Sequence, residues 1–135
     1  MRYLAIDYGT KHTGLAICDQ SETIVSPLAV IQGQKDLLKR IEGIVKTENV
    51  EAVVLGLPLN MDDSQGFQAK LVLKFAEQLK QALDVPLHFQ DERLSSFGAE
   101  EKFSAPELSR LRKKKRLDAV AAAEILQSFL EQKKS

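Results

Sequence analysis

The sequence predicts an α/β protein whose mixed five-stranded sheet has three antiparallel strands followed by two parallel strands, with helices flanking the sheet. Three short apolar segments joined by turns come first, and short turns connect antiparallel strands. Two further apolar segments each follow an amphipathic helix, which is the pattern of parallel strands. The 135 residues, 44% of them hydrophobic, fit one domain with a buried core.

The individual elements follow from the spacing of the apolar residues. Strands are predicted at 3–6, 13–18, 23–31, 52–57 and 85–90, and Pro27 interrupts the third of them. Helical spacing predicts helices at about 35–47 and 67–83, a short helix near 95–103 and a final helix at about 118–131. Because parallel strands end at the same edge of a sheet, the loops 7–13, 58–66 and 91–96 are expected to converge there.

Composition excludes several classes of protein. The 19 basic and 19 acidic side chains give no net charge, whereas a protein that coats nucleic acid indiscriminately is usually basic. Cys18 is the single cysteine, which excludes an intrachain disulfide and a cysteine-rich zinc site, and its apolar surroundings predict a buried thiol. No signal peptide and no apolar stretch of about 20 residues is present, so we expect a cytoplasmic protein with no membrane partner.

Asp7 follows directly after the first strand and precedes Gly9 and Gly14. A carboxylate at the end of a strand, beside glycines that allow a phosphate to approach, suits a hard cation such as Mg²⁺. A carboxylate that hydrogen-bonds a tight turn would explain the same residue equally well. The D-x-G-T pattern is also used by actin-like kinases and chaperone ATPases.

Two further acidic positions are predicted at the same edge. Asp91 and Glu92 follow the fifth strand, and since neighbours in an extended chain point to opposite sides, we expect one of the two to reach the site. Asp118 begins the last helix, where aspartate is a common N-cap. It also shares the core-facing stripe with Ala122 and Ile125, where an unpaired charge would be costly. Three carboxylates from separate segments suggest a site for one or two divalent ions, Mg²⁺ or Mn²⁺. Glu124 falls on the opposite side of the helix and is not included.

Basic and polar residues near these carboxylates are candidates for binding a nucleic-acid backbone. A run of like charges is usually a solvated surface, but this one directly precedes Asp118, where it could contact phosphates. The candidates are Lys11, His12, Arg93, Arg112, Lys113, Lys114, Lys115 and Arg116. Asn60 in the loop after the fourth strand could bind phosphate or ribose, or cap the loop. His88 lies inside a strand and is expected to be structural.

Four motifs in order, beginning at Asp7, Gly56, Asp91 and Asp118, resemble the YqgF family of Holliday-junction-resolvase-like proteins, whose members are described as pre-16S rRNA nucleases. The resemblance covers essentially the whole chain. It implies a ribonuclease H-like fold in a single domain over 1–135, a cytoplasmic location, and a role in maturing the 5′ end of 16S rRNA. By motif match, Asp7, Glu92 and Asp118 would form the acidic trio, with Asp91 as the alternative middle member.

The chain departs from the family pattern at three positions. His12 stands where the family usually has arginine, Asp63 where glycine is common and Phe67 where proline is frequent. These differences bear on substrate binding rather than on the acidic trio.

The leading hypothesis is therefore a Mg²⁺- or Mn²⁺-dependent endonuclease acting on precursor rRNA, in contact with ribosomal particles and either monomeric or weakly dimeric. One alternative is a Holliday-junction resolvase acting on DNA, which normally requires a two-fold dimer. Another is a non-catalytic nucleic-acid-binding assembly factor.

Overall fold

A computed structural model describes residues 1–58, 66–92 and 117–134 of the chain, with the backbone alone described at 117 and 118. Five strands are present in these ranges: β1 (Tyr3–Asp7), β2 (His12–Cys18), β3 (Val25–Gln32), β4 (Ala52–Leu57) and β5 (Leu87–Asp91). Three helices accompany them: α1 (Leu37–Thr47), α2 (Phe67–Ala82) and α3 (Leu117–Lys134). The short helix predicted near 95–103 lies outside the described residues.

The five strands form one sheet in the order β3-β2-β1-β4-β5. β1 pairs antiparallel with β2, which pairs antiparallel with β3, whereas β1, β4 and β5 are parallel to one another. The predicted mixed sheet of three antiparallel and two parallel strands is confirmed. The register aligns Ile6 of β1 with Leu55 of β4, and Leu55 in turn with Phe89 of β5, so these three strands end at the same edge.

Helices cover both faces of the sheet. Side chains alternate between the faces along each strand. On β1, Leu4 and Ile6 join the buried cluster formed with α1 and α2, while Tyr3 and Ala5 join the cluster formed with α3. We refer to these as the α1/α2 face and the α3 face. Burial on both faces explains why β1 and β4 are continuous apolar runs instead of alternating ones.

Helix α3 runs antiparallel to β1. Near its end, the ring of Phe129 packs against Tyr3 at the start of β1, with 5.2 Å between ring centroids. One turn earlier, the Ile125 side chain lies against Gly56, near the end of β4. The first residues of α3, including the backbone of Asp118, therefore point toward the edge where β1, β4 and β5 end. In the described ranges, the helices lack an apolar stretch long enough to cross a bilayer.

The turn between β2 and β3 is organised by Asp19, which explains why β3 begins two residues later than predicted. The Asp19 carboxylate accepts hydrogen bonds from the backbone N–H groups of Ile24 and Thr23, at 3.0 and 2.8 Å, which keeps both residues in the turn. These bonds, and those from the Ser21 and Thr23 hydroxyls, hold the pKa of Asp19 well below its usual value. Pro27 is accommodated because β3 is an edge strand.

The predicted burial of Cys18 is confirmed. Its thiol is 1% exposed and accepts a hydrogen bond from the Tyr3 backbone N–H at 3.3 Å, and burial raises its pKa. Because the thiolate is the reactive form, we expect native protein at pH 7.5 to react with iodoacetamide at least about tenfold more slowly than protein unfolded in guanidinium. The rates can be compared by mass spectrometry. Equal rates would contradict the buried position of this side chain.

Candidate active site

Asp7 is the last residue of β1 and is partly buried. It pairs with Gly14 on the neighbouring strand β2. Because Tyr3 and Ala5 lie on the α3 face, the alternation along β1 places the Asp7 side chain on that face as well. The predicted carboxylate is therefore at the end of a central strand, on the side covered by α3.

The turn that follows Asp7 is fixed by side chains from other elements. The Gln34 amide donates to the backbone carbonyls of Gly9 and Thr10, at 2.9 and 3.1 Å, and accepts a hydrogen bond from the Tyr8 hydroxyl at 2.9 Å. The Tyr8 ring stacks on Phe75 of α2, with centroids 4.2 Å apart. A side chain at Gly9 would collide with the carbonyl of His12, so the turn requires glycine there. These contacts hold the chain beside Asp7 in one conformation.

Asp91 and Glu92 lie on opposite sides of the sheet. On β5, the His88 ring contacts Tyr3 and Phe129 on the α3 face, whereas the Phe89 ring meets Lys80 of α2 on the other face. The alternation along β5 places Asp91 on the α1/α2 face. Glu92 follows the end of the strand, and its side chain lies beside Ile125 of α3 over Gly56, which places it on the α3 face together with Asp7.

The Glu92 side chain lies over the end of β4. A Cβ atom added to Gly56 would be 2.6 Å from Glu92 Oε1 and 2.9 Å from Glu92 Cγ, so the carboxylate occupies the space above this glycine. Strand β4 lies between β1 and β5. Since neighbouring strands are about 4.8 Å apart, Glu92 extends from β5 to within about one strand spacing of the strand that carries Asp7. The structure thus brings these two acidic residues to one edge and one face.

Two buried polar residues on the α3 face were not among the predicted site residues. Gln90, aligned with Gly56 in the parallel register, is 4% exposed, and its Nε2 has no hydrogen-bond partner in the described part of the chain. Glu124 of α3 is 7% exposed, although it was excluded as lying away from the core. The run of alanines before Glu124, which makes this part of the helix apolar on all sides, was the signal that α3 is buried over a wide arc.

The predicted substrate-binding residues fall into two groups. Lys11 is exposed in the turn after Asp7, and His12 is the partly buried first residue of β2 rather than a turn residue. The remaining candidates lie outside the described residues: Asn60, Arg93, Arg112, Lys113, Lys114, Lys115 and Arg116.

The donor set fits a hard divalent cation, since Asp7 and Glu92 offer carboxylate oxygens on one partly buried edge. The side chain of Asp118, the predicted third ligand, is not among those described. Among the side chains that are described, no three His, Cys, Asp or Glu residues are grouped closely enough to hold a metal ion.

The fold is ribonuclease H-like and resembles that of Holliday junction resolvases. Thermus thermophilus RuvC, solved with a Holliday junction substrate, superposes with a TM-score of 0.58 at 15% identity, over 93% of this chain and 90% of that one. The Holliday junction resolvase of fowlpox virus gives a TM-score of 0.55 at 15% identity, over 98% of this chain and 99% of that one. At this level of identity the likeness concerns the fold alone.

Sequence comparison gives the family. Residues 1–132 match the family described as "RuvX: Holliday junction resolvase". A protein of Caldanaerobacter subterraneus named "Putative pre-16S rRNA nuclease" is 43% identical, over 100% of this chain and 99% of its own length. A protein of the same name from Trichormus variabilis is 40% identical, over 95% of this chain and 86% of its own length. The chain belongs to the RuvX family, which is the YqgF family that the motifs indicated, and the prediction of a nuclease is confirmed at the level of the family.

Proposed function

We propose that this protein is an endonuclease dependent on Mg²⁺ or Mn²⁺, with its active site on the α3 face where β1, β4 and β5 end. The observation that carries the proposal is the position of Asp7 and Glu92, which come from distant parts of the sequence and share one edge and one face. Asp118, at the start of the helix that covers this face, is the third proposed ligand.

The chemistry of the edge supports this assignment. Asp7 and Glu92 are both partly buried and offer carboxylate oxygens at the same edge. Mg²⁺ and Mn²⁺ both prefer oxygen ligands of this kind. When bound, such a cation acts as a Lewis acid that stabilises the charge developing on phosphoryl oxygens. Asp7 and Glu92 would hold it at the edge of the sheet, and the contacts of Gln34 with the following turn would help to keep Asp7 in place.

We propose precursor 16S rRNA as the substrate, cleaved at its 5′ end during ribosome biogenesis in the cytoplasm. The support comes from the relatives at 36–43% identity, which carry the name "Putative pre-16S rRNA nuclease". Lys11, exposed four residues after Asp7, is placed to contact a phosphate of the backbone. Phosphate contacts fix the position of a nucleic acid without reading its sequence, so recognition of the cleavage site would require further contacts or the ribosomal particle.

A Holliday-junction resolvase acting on DNA is the second candidate, favoured by the family description and by the fold of RuvC. The site would be the same and the substrate different. Symmetric cleavage of a four-way junction normally requires a two-fold dimer.

The test is to incubate the purified protein with a precursor 16S rRNA fragment and with a four-way DNA junction, each with Mg²⁺, Mn²⁺ or EDTA, and to map the product ends. We expect metal-dependent cleavage of the RNA near the mature 5′ end. Symmetric cleavage of the junction with intact RNA would favour the resolvase. Tight binding of RNA without cleavage under either metal would favour a non-catalytic assembly factor and contradict the proposal.

A further inference from the structure

Gly56 interrupts an otherwise apolar central strand at the point where the site begins. Strand β4 reads Ala-Val-Val-Leu-Gly-Leu, and its first five residues are buried. Glycine in a strand loses more conformational entropy on folding than other residues and contributes no packing, so it often marks a place where another group approaches closely. At Gly56 the groups that approach closely are the side chains of Glu92 and Ile125.

Two side chains occupy the volume where a side chain of residue 56 would lie. A Cβ atom at this position would be 2.6 Å from Glu92 Oε1, 2.9 Å from Glu92 Cγ and 2.6 Å from Ile125 Cδ1. All three separations are shorter than non-bonded carbon and oxygen atoms tolerate, so a methyl group could enter only if Glu92 and Ile125 both moved.

We propose that Gly56 is a positioning residue for Glu92: the missing side chain is what allows this carboxylate to lie across β4, within about one strand spacing of the strand of Asp7. The inference rests on the proposed function, because it takes Glu92 as a metal ligand. Beyond that function, we infer that Glu92 takes up its position because Gly56, on the neighbouring strand β4, leaves room for it.

The surroundings limit where a displaced Glu92 could go. Gln90, aligned with Gly56 on β5, is 4% exposed, so the position next to Gly56 on this face is already filled. Ile125 is 1% exposed and is held in the buried cluster of α3. We therefore expect Glu92, which is partly exposed at the end of β5, to move outward and away from Asp7. Active-site groups must be held to within about 0.5 Å, so a shift of this kind is large enough to weaken a metal site.

The test is the Gly56→Ala variant in two backgrounds. In the otherwise native chain, we expect Gly56→Ala to lower Mn²⁺ affinity, measured by calorimetry, and RNA cleavage by about tenfold or more. In a Glu92→Gln background the carboxylate is already lost. There, Gly56→Ala should cause no further loss of Mn²⁺ affinity or of RNA cleavage. An equal loss in both backgrounds would show that Gly56 acts on the site without Glu92 and would overturn the inference.

Ile125→Val provides the control for packing, because it removes the Cδ1 atom that a methyl group at position 56 would meet. The single variant should cleave RNA normally. The double variant Gly56→Ala/Ile125→Val should recover thermal stability but not activity. If Gly56→Ala alone does not fold, Mn²⁺ affinity and RNA cleavage can be measured on this double variant instead. Recovery of activity in the double variant would assign the effect to helix packing and contradict a role through Glu92.

Variants at Gly56 and Glu92 distinguish a failure of this inference from a failure of the proposed function. A Gly56→Ala variant that cleaves RNA and binds Mn²⁺ normally, beside an inactive Glu92→Gln variant, would overturn this inference and leave the proposed function standing. A Glu92→Gln variant with normal cleavage would instead overturn the assignment of Glu92 as a ligand, and the inference with it.

Discussion

Replacement of Asp7 by asparagine is expected to lower metal-dependent cleavage of a precursor 16S rRNA fragment by at least about 10²-fold. A bound cation contributes several kcal/mol of charge stabilisation in the transition state, and each 1.36 kcal/mol changes a rate tenfold. Asparagine has nearly the same shape as aspartate but lacks the charge that holds a cation. Because the shape of the side chain is kept, the variant should remain folded, which circular dichroism and the thermal unfolding midpoint check.

Asp84→Asn is the matched control for this experiment. Asp84 is exposed and lies just before β5, at the opposite edge of the sheet from Asp7. The same chemical change there should leave cleavage within about twofold of the unmodified protein, as for most surface substitutions. Undiminished, metal-dependent cleavage by Asp7→Asn would rule out the proposed site.

The second large effect distinguishes two adjacent carboxylates. Glu92→Gln is expected to lower cleavage by at least about 10²-fold, on the same reasoning as for Asp7. Asp91→Asn, one residue away on the α1/α2 face, should retain activity within about threefold, because its side chain lies on the side of the sheet away from Asp7.

These two variants form a matched pair, since each removes one negative charge with little change in shape. Cleavage rates should be measured at several Mn²⁺ concentrations, so that weakened binding of the metal is separated from loss of the chemical step. The reverse outcome, an inactive Asp91→Asn beside an active Glu92→Gln, would show that the site faces α1 and α2 and would require a different set of ligands.

The strands of the sheet could be predicted from the sequence because apolar runs determine them locally. Strand β4 was predicted with its observed bounds, since both of its faces are buried and its run of apolar residues is continuous. The start of β3 was misplaced because Asp19 holds Thr23 and Ile24 in the turn through its carboxylate, which hydropathy does not reveal.

The site was predicted less completely, because its geometry depends on contacts between distant segments. The sequence predicts Asp7 and the Asp91–Glu92 pair at one edge. The motif match favours Glu92, but the residues themselves leave the two carboxylates open, because the face on which each lies depends on the assembled sheet. His88 and Gln90 alternate with apolar residues, a pattern typical of a solvent-facing side. Helix α3, from the other end of the chain, covers that side and buries Gln90. The contact between Gly56 and Glu92 likewise appears only when β4, β5 and α3 are assembled.

The metal site is tested most directly by calorimetric titration with Mn²⁺ in the absence of nucleic acid. The proteins to compare are the unmodified protein and the Asp7→Asn, Glu92→Gln and Asp91→Asn variants. The titration measures the metal site separately from the identity of the substrate. We expect the affinity for Mn²⁺ to fall by at least about tenfold in Asp7→Asn and Glu92→Gln and to be unchanged in Asp91→Asn. Equal affinity in all four proteins would contradict a metal site formed by Asp7 and Glu92.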